Sequence, residues 1–206
     1  MSVIADGHVT PAARETRAKI LDTALVLFTE HGFDGTTLQE IADRLGFTKA
    51  ALYYHFKSKD DLLAALLTPA VDAIEELIAA HEHDRGLPGS RRRFIEAYID
   101  QLLANRRLIA YMVSDLATIA HPVIADGGAL RRTRLQALIA GEAPDFAQQV
   151  RVVMALRGIG GVIAQYPTAE PAALRDALLS AVASLLKVRC GRPHGVTRTG
   201  AEASMG

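Results

Sequence analysis

Between Gly32 and Asp61 the chain carries helix stop and start signals so closely spaced that only short helices fit between them. Thr37 stands three residues before Glu40, the capping-box pattern that opens a helix. Leu38, Ile41, Ala42 and Leu45 supply its apolar face, and Gly46 stops it. Thr48 caps a further helix, Lys49 to about His55. Ser58 with Asp61 repeats the box ahead of a longer helix carrying Leu62, Leu63, Leu66, Leu67, Val71, Ile74 and Leu77. On the N-terminal side, a helix from near Ala12 or Ala13 presents Ile20, Leu21, Ala24, Leu25 and Phe28 before Gly32 ends it. Two short helices joined by a Gly-centred turn are the sequence form of a helix-turn-helix.

The periodicity is helical nearly everywhere else. Aromatics make up 5% of the chain, there is no Trp, and strand-like runs are absent. Helices are expected at about 91–105, 107–119, 128–140, 145–165 and 171–189. They are separated by His81 to Ser90, His121-Pro122, Asp126-Gly127-Gly128, Gly141 to Pro144, and Pro167 to Pro171. The fold class is therefore all-α. Residues 1–11 read as a flexible arm and 190–206 as a disordered tail.

With 50% hydrophobic and 22% charged residues, disorder is excluded for most of the chain. The N-terminus lacks the basic and apolar regions of a signal peptide. No apolar run approaches the roughly 18 residues needed to span a bilayer. The single cysteine, Cys190, excludes an intrachain disulfide or a thiolate metal cluster. These features place the protein in the cytoplasm, with no membrane partner.

The 23 basic residues balance 23 acidic ones, which argues against a protein that coats nucleic acid by bulk charge. The distribution is more informative. Residues 1–67 carry seven cations and nine anions, yet from Arg44 to Lys59 there are four cations (Arg44, Lys49, Lys57, Lys59) and no carboxylate. In a helix-turn-helix the second helix enters the major groove and its N-terminal residues meet base edges. Here Ala50 and Ala51 are small enough for close approach, and a methyl can meet a thymine methyl. Lys49 can reach a guanine edge or a phosphate, while Tyr53 and His55 offer polar tips. Tyr54 is either core or contact. The N-termini at Thr37, Thr48 and Ser58 offer backbone N–H groups to phosphates. Leu52, Phe56 and Leu62 read as core.

From Arg17 to Leu66 the sequence resembles the N-terminal domain of the TetR family of transcriptional repressors. The residues that carry the likeness are Ile20-Leu21, Ala24, Phe28, Gly32-Phe33, Thr36-Thr37, Ile41-Ala42, Leu45-Gly46, the run Leu52-Tyr53-Tyr54-His55-Phe56, Lys59 and Leu62. The string GFTKAALYYHFKSKDDLL is highly specific to that family. The resemblance covers about the first third of the chain, and beyond it only the helical pattern and total length agree. It implies a three-helix DNA-binding domain over 12–57 joined to a larger ligand-binding and dimerisation domain over 58–189. It implies DNA contacts from Thr37, Arg44, Thr48, Lys49, Ala50, Tyr53, Tyr54, His55 and Lys59, with Lys59 clamping a phosphate. The partners it implies are double-stranded operator DNA, a small-molecule effector and a second copy of the chain, with no cofactor.

Family members dimerise through their last two helices, here 145–165 and 171–189. Gly158, Gly160 and Gly161 interrupt the first of these, where glycine costs about 1 kcal/mol relative to Ala. Close approach of a partner helix is one reason to keep them; an internal crossing or a kink over a ligand is another. The resemblance also implies a ligand cavity among the middle helices. Candidate lining residues are Tyr98, Tyr111, Met112, Asp115, Met154, Arg157 and Tyr166, although Met and Tyr at helical spacing equally fill cores. Arg91-Arg92-Arg93 and Arg131-Arg132-Arg134 read as solvated helix ends.

Other functions compete with a ligand-released repressor. A sensor of the same fold could act through a protein partner. An enzyme would need a site the sequence does not display: there is no G-x-S-x-G, Gly-rich phosphate loop or H-E-x-x-H. His81 and His83 lie in an acidic loop with no further metal ligands placed by sequence.

Overall fold

A computed structural model describes residues 10–115, 118, 120–141 and 143–187. Residues 1–9 of the expected arm over 1–11, Cys190 and the expected tail over 190–206 lie outside them. Among the described residues there are helices and turns and no strand. We label the helices α1 (Pro11–Gly35), α2 (Leu38–Leu45), α3 (Lys49–His55), α4 (Lys59–Glu82), α5 (Ser90–Ala104), α6 (Arg106–Ser114), α7 (Pro122–Ala125), α8 (Gly128–Ala140), α9 (Phe146–Gln165) and α10 (Pro171–Leu186). None is long and apolar enough to cross a membrane.

The stop and start signals act where the sequence places them. Thr10 caps α1 ahead of Pro11, and Gly32 breaks the helical path at φ 76°. At the start of α2, the Thr37 hydroxyl accepts the Glu40 N–H while the Glu40 carboxylate accepts the Thr37 N–H. Gly46 then takes the left-handed conformation (φ 68°, ψ 27°) that lets the Phe47 N–H reach back to Ala42 O at 2.9 Å. A side chain at Gly46 would strain this turn, and the turn sets α3 against α2. At α4 the reciprocal half of the expected box is absent: the Asp61 carboxylate takes the Lys57 N–H instead.

Several boundaries differ from the sequence expectation: α1 begins at Pro11, inside the expected arm, and α10 ends at Leu186 with Lys187 left-handed, short of residue 189. α4 runs on to Glu82, so the break is shorter than His81 to Ser90. α6 ends at Ser114, with Asp115 extended, short of the expected residue 119. The His121-Pro122 break contains α7, because Pro is favoured at the first helical position and the His121 ring caps the Val123 N–H.

The helices build two hydrophobic clusters. The first joins α1, α2, α3 and the start of α4, and also takes Leu108 and Tyr111 from α6. The second joins Ile78 of α4 with the apolar faces of α5, α8, α9 and α10. Each fully buried Leu, Ile or Phe contributes about 1.5–3 kcal/mol relative to exposure. Leu62, Leu63 and Leu67 of α4 lie in the first cluster and Ile78 in the second, with the exposed Pro69 between them. Proline there removes one helical hydrogen bond where α4 passes from one cluster to the other.

The reading of Arg131 and Arg134 as solvated helix ends is corrected. Arg131 and Arg134 both pair with Glu75, and Arg134 also with Glu82, all at 2.7–2.8 Å. These pairs tie α8 to α4. They were not visible in sequence because the partners lie 52 to 59 residues away. Arg91 likewise turns inward and donates to Leu186 O at 3.3 Å.

Candidate nucleic-acid interface

α3 is short, and its faces divide cleanly. Leu52 is buried against the first cluster, as is Phe56 at its C-cap, while Thr48, Lys49, Ala50, Ala51, Tyr53 and Tyr54 face solvent. Tyr54 is 84% exposed and Tyr53 43%, so the open alternatives for Tyr54 narrow to the surface. The Lys49 ammonium lies 5.7 Å from the Tyr53 ring centroid, near the outer limit of cation–π attraction, which leaves it free to leave for an anion. The Tyr54 ring stands edge-on to His55, which is half-buried.

The helix start is held by the Thr48 hydroxyl, which accepts the Ala51 N–H at 3.1 Å. Thr37 is exposed, but its hydroxyl is already engaged with Glu40. The Thr37 N–H and hydroxyl hold the Glu40 carboxyl below the usual glutamate value. Arg44 is exposed and reaches Glu30 at 3.5 Å, a loose surface pair that competes little with a phosphate.

Lys59 has a different environment from the others. Its ammonium donates to Phe33 O, to Thr36 O at 2.9 Å and to Asp34 O at 3.4 Å, and it sits 4.4 Å over the Phe33 ring. The buried Thr36 hydroxyl adds bonds to Leu27 O and Gly32 O. Lys59 thus adds a charged donor to the carbonyls of the turn that ends α1, where Phe33 O also accepts the Thr36 N–H. In this conformation its charge serves the fold, and a phosphate would have to draw it away from those carbonyls.

The structure separates the expected ligand-lining set. Tyr98, Met112 and Arg157 meet at one cavity of about 450 Å³, lined by α4 to α9 and open to solvent on one side. Its size suits a small organic ligand. Tyr98 is nearly buried there, which pushes its phenol up to about 12. Tyr111 lies on the opposite face of α6, fully buried and stacked on Phe28 at 5.9 Å. Asp115 accepts the Tyr111 hydroxyl at 3.1 Å and the Phe33 N–H at 2.9 Å, so it joins α6 to the end of α1. Met154 lines a separate groove between α8 and α9, and Tyr166 is 57% exposed beyond the end of α9. Periodicity did not single out Ile109 and Val113 for this cavity, while Gly160, noted in the sequence for its place in a helix interior, lines it beside them. A Cβ on Gly160 would come within 3.3 Å of Val113, so this glycine permits the close crossing of α9 over α6. Gly158 and Gly161 face open space.

His81 and His83 each turn one ring nitrogen to a carbonyl of their own helix, Leu77 O and Ala79 O. Among the described residues no group of three or more His, Cys, Asp or Glu is placed to hold a metal.

Comparison with known proteins bears on the same segment. Residues 20–66 match the family model described as bacterial regulatory proteins, tetR family. The HTH-type transcriptional regulator AcrR of Shigella flexneri is 46% identical over 65 residues, 32% of this chain and 30% of that protein. The Staphylococcus aureus (strain Newman) IcaR, a biofilm operon icaADBC HTH-type negative transcriptional regulator, is 40% identical over 65 residues, 32% of this chain and 35% of IcaR. The chain thus spans about a third of the length of these curated relatives. Over the whole fold it is similar to Mycobacterium smegmatis AmtR, with 27% identity, a TM-score of 0.62, and coverage of 91% of this chain and 99% of that one. A transcriptional regulator (TerR/AcrR family) from Aquifex aeolicus shares the fold at 21% identity and TM-score 0.61, covering 82% of this chain and 99% of that one. Residues 20–66 are thus similar to the N-terminal domain of the tetR family, within a chain whose fold is similar over most of its length to these regulators.

Proposed function

We propose that this protein is a sequence-specific DNA-binding transcriptional repressor that a small-molecule ligand releases from its operator. The observation that carries the reading is the α3 face, where Thr48, Lys49, Ala50, Tyr53 and Tyr54 are exposed within a segment free of carboxylates. Thr37, Arg44 and His55 flank it and would reach phosphates. The repressor sign rests on the likeness to IcaR, a negative regulator by name.

The working form would be a homodimer whose recognition helices enter successive major grooves about 34–36 Å apart. α9 presents Phe146, Val150, Val153, Met154 and Val162 at helical spacing on an exposed face. Gly158 and Gly161 leave room on α9 for a partner helix. The division into a DNA-binding unit over 12–57 and a ligand-binding unit over 58–189 fits this reading, with the cavity at Tyr98, Met112 and Arg157 as the effector site. A DNA partner would place its action in the cytoplasm.

The test is selection of bound DNA from a random pool, followed by challenge with a small-molecule panel. A near-palindromic consensus that is released by at least one compound supports the reading. Binding that is independent of sequence, or none at low salt, would instead favour a sensor acting through a protein partner.

A further inference from the structure

A second cavity, of about 340 Å³, lies where the end of α4, the start of α5 and the end of α8 meet. It is separate from the Tyr98 cavity, and its chemistry is different. Arg85, Arg91 and His81 line it together with Ser90, and among the described residues no carboxylate does. The nearby acids are engaged elsewhere: Asp84 pairs with Arg93, and Glu82 with Arg134. Phe94 and Leu138, both buried, form the apolar side.

Arg91 is the unusual member. Its Nη2 donates to Leu186 O at 3.3 Å, but its Nε–H is buried with no hydrogen-bond partner. Burial also lowers its pKa from the ordinary guanidinium value. A buried N–H without an acceptor is costly, so an arriving acceptor would stabilise this group. With Nη2 engaged on Leu186 O, the remaining N–H groups of Arg91, together with Arg85, can still meet the two oxygens of a carboxylate. α5 begins beside it without a side-chain cap, so its positive dipole end is open to the same anion.

We propose that this cavity binds a small organic carboxylate. Its anionic group is held by Arg91 and Arg85, and its apolar body lies against Phe94 and Leu138. The site is distinct from the effector cavity and does not depend on DNA binding.

The test titrates the full chain with acetate, butyrate and benzoate, each beside its uncharged amide, by calorimetry and by NMR of the arginine Nε–H signals. The expected result is saturable binding of at least one carboxylate, one per chain, with its amide inert and the Arg91 Nε–H signal shifted. Arg91→Lys keeps the charge but loses the planar fork, and weakens binding by about tenfold or more. Arg85→Gln, altering an exposed side chain, weakens it less and guards against a folding defect in the Arg91 variant. The proposal is overturned if no carboxylate saturates, if the amides bind equally well, or if Arg91→Lys binds normally. Binding lost in Arg157→Gln but kept in Arg91→Lys would assign the ligand to the other cavity and equally overturn it.

Discussion

The backbone N–H of Phe33 donates to the carboxylate of Asp115 at 2.9 Å, across 82 residues of sequence. The same oxygen accepts the Tyr111 hydroxyl. α6 therefore ends on the turn that closes α1. Its Leu108 and Tyr111 lie in the cluster that carries α3, while Ile109, Met112 and Val113 line the Tyr98 cavity. On the proposed reading, a ligand that moves α6 would also move, or release, the support of α3. Asp115→Ala is expected to cost about 1–3 kcal/mol in denaturant unfolding, because it strips the acceptor from a partly buried N–H. It should also shrink the ligand's effect on DNA affinity, which for typical coupling is about 5–150-fold. Unfolding and ligand release both at wild-type values would remove Asp115 from this role.

Lys59 distinguishes a structural cation from a phosphate clamp. Bound to three carbonyls around the end of α1, it should when replaced by Met lower stability by about 1–3 kcal/mol and leave the salt dependence of DNA binding unchanged. A phosphate clamp would instead reduce that salt slope by about one unit. Thermal unfolding and binding across a salt series on the same variant separate the two.

Alkaline unfolding should report the burial of Tyr98. Its phenol is raised by burial from the usual value of 10.0 to about 12. The folded state therefore holds this proton longer than the unfolded chain. The stabilisation is full below pH ~10 and is lost as pH rises toward ~12, a change of about 3 kcal/mol. Tyr98→Phe should reduce the slope of stability against pH across that window, with Tyr111, whose phenol burial also raises to about 12, keeping the remainder. An unchanged slope in the variant would mean the ring is solvated.

Pro69 interrupts the hydrogen-bond ladder of α4 between its two clusters. Pro69→Ala should restore the bond and raise stability by up to about 3 kcal/mol, read as a higher Tm. Stiffening α4 should also weaken ligand release of DNA. A lower Tm would mean instead that the interruption is needed to seat both halves of α4.

What the sequence revealed and what it concealed divide by distance along the chain. Thr37, Gly46, Thr48 and Ser58 act on backbone groups within a few residues, so their effects are written locally, and α2 and α3 fall where those signals put them. Lys59 reads locally as a basic residue in the right place, yet its partners are 23 to 26 residues away. Asp115 and Arg134 are likewise defined by partners that only the fold brings near. Tyr98 and Tyr111 carry the same residue type at helical spacing. Tyr98 stands on α5 and Tyr111 on α6, and which of them faces a cavity depends on how each helix is rotated between its neighbours, which no periodicity sets.

The exposed face of α3 is the proposed reader of DNA. Its most direct test is the affinity of full-length wild type and a Lys49→Ala, Tyr53→Ala double variant for a duplex selected from a random pool, with helical content checked by circular dichroism. Both side chains are exposed, so the variant should fold normally. Its affinity should fall by about tenfold or more, as expected for lost base and phosphate contacts. Unchanged affinity in a normally folded variant would contradict docking through α3.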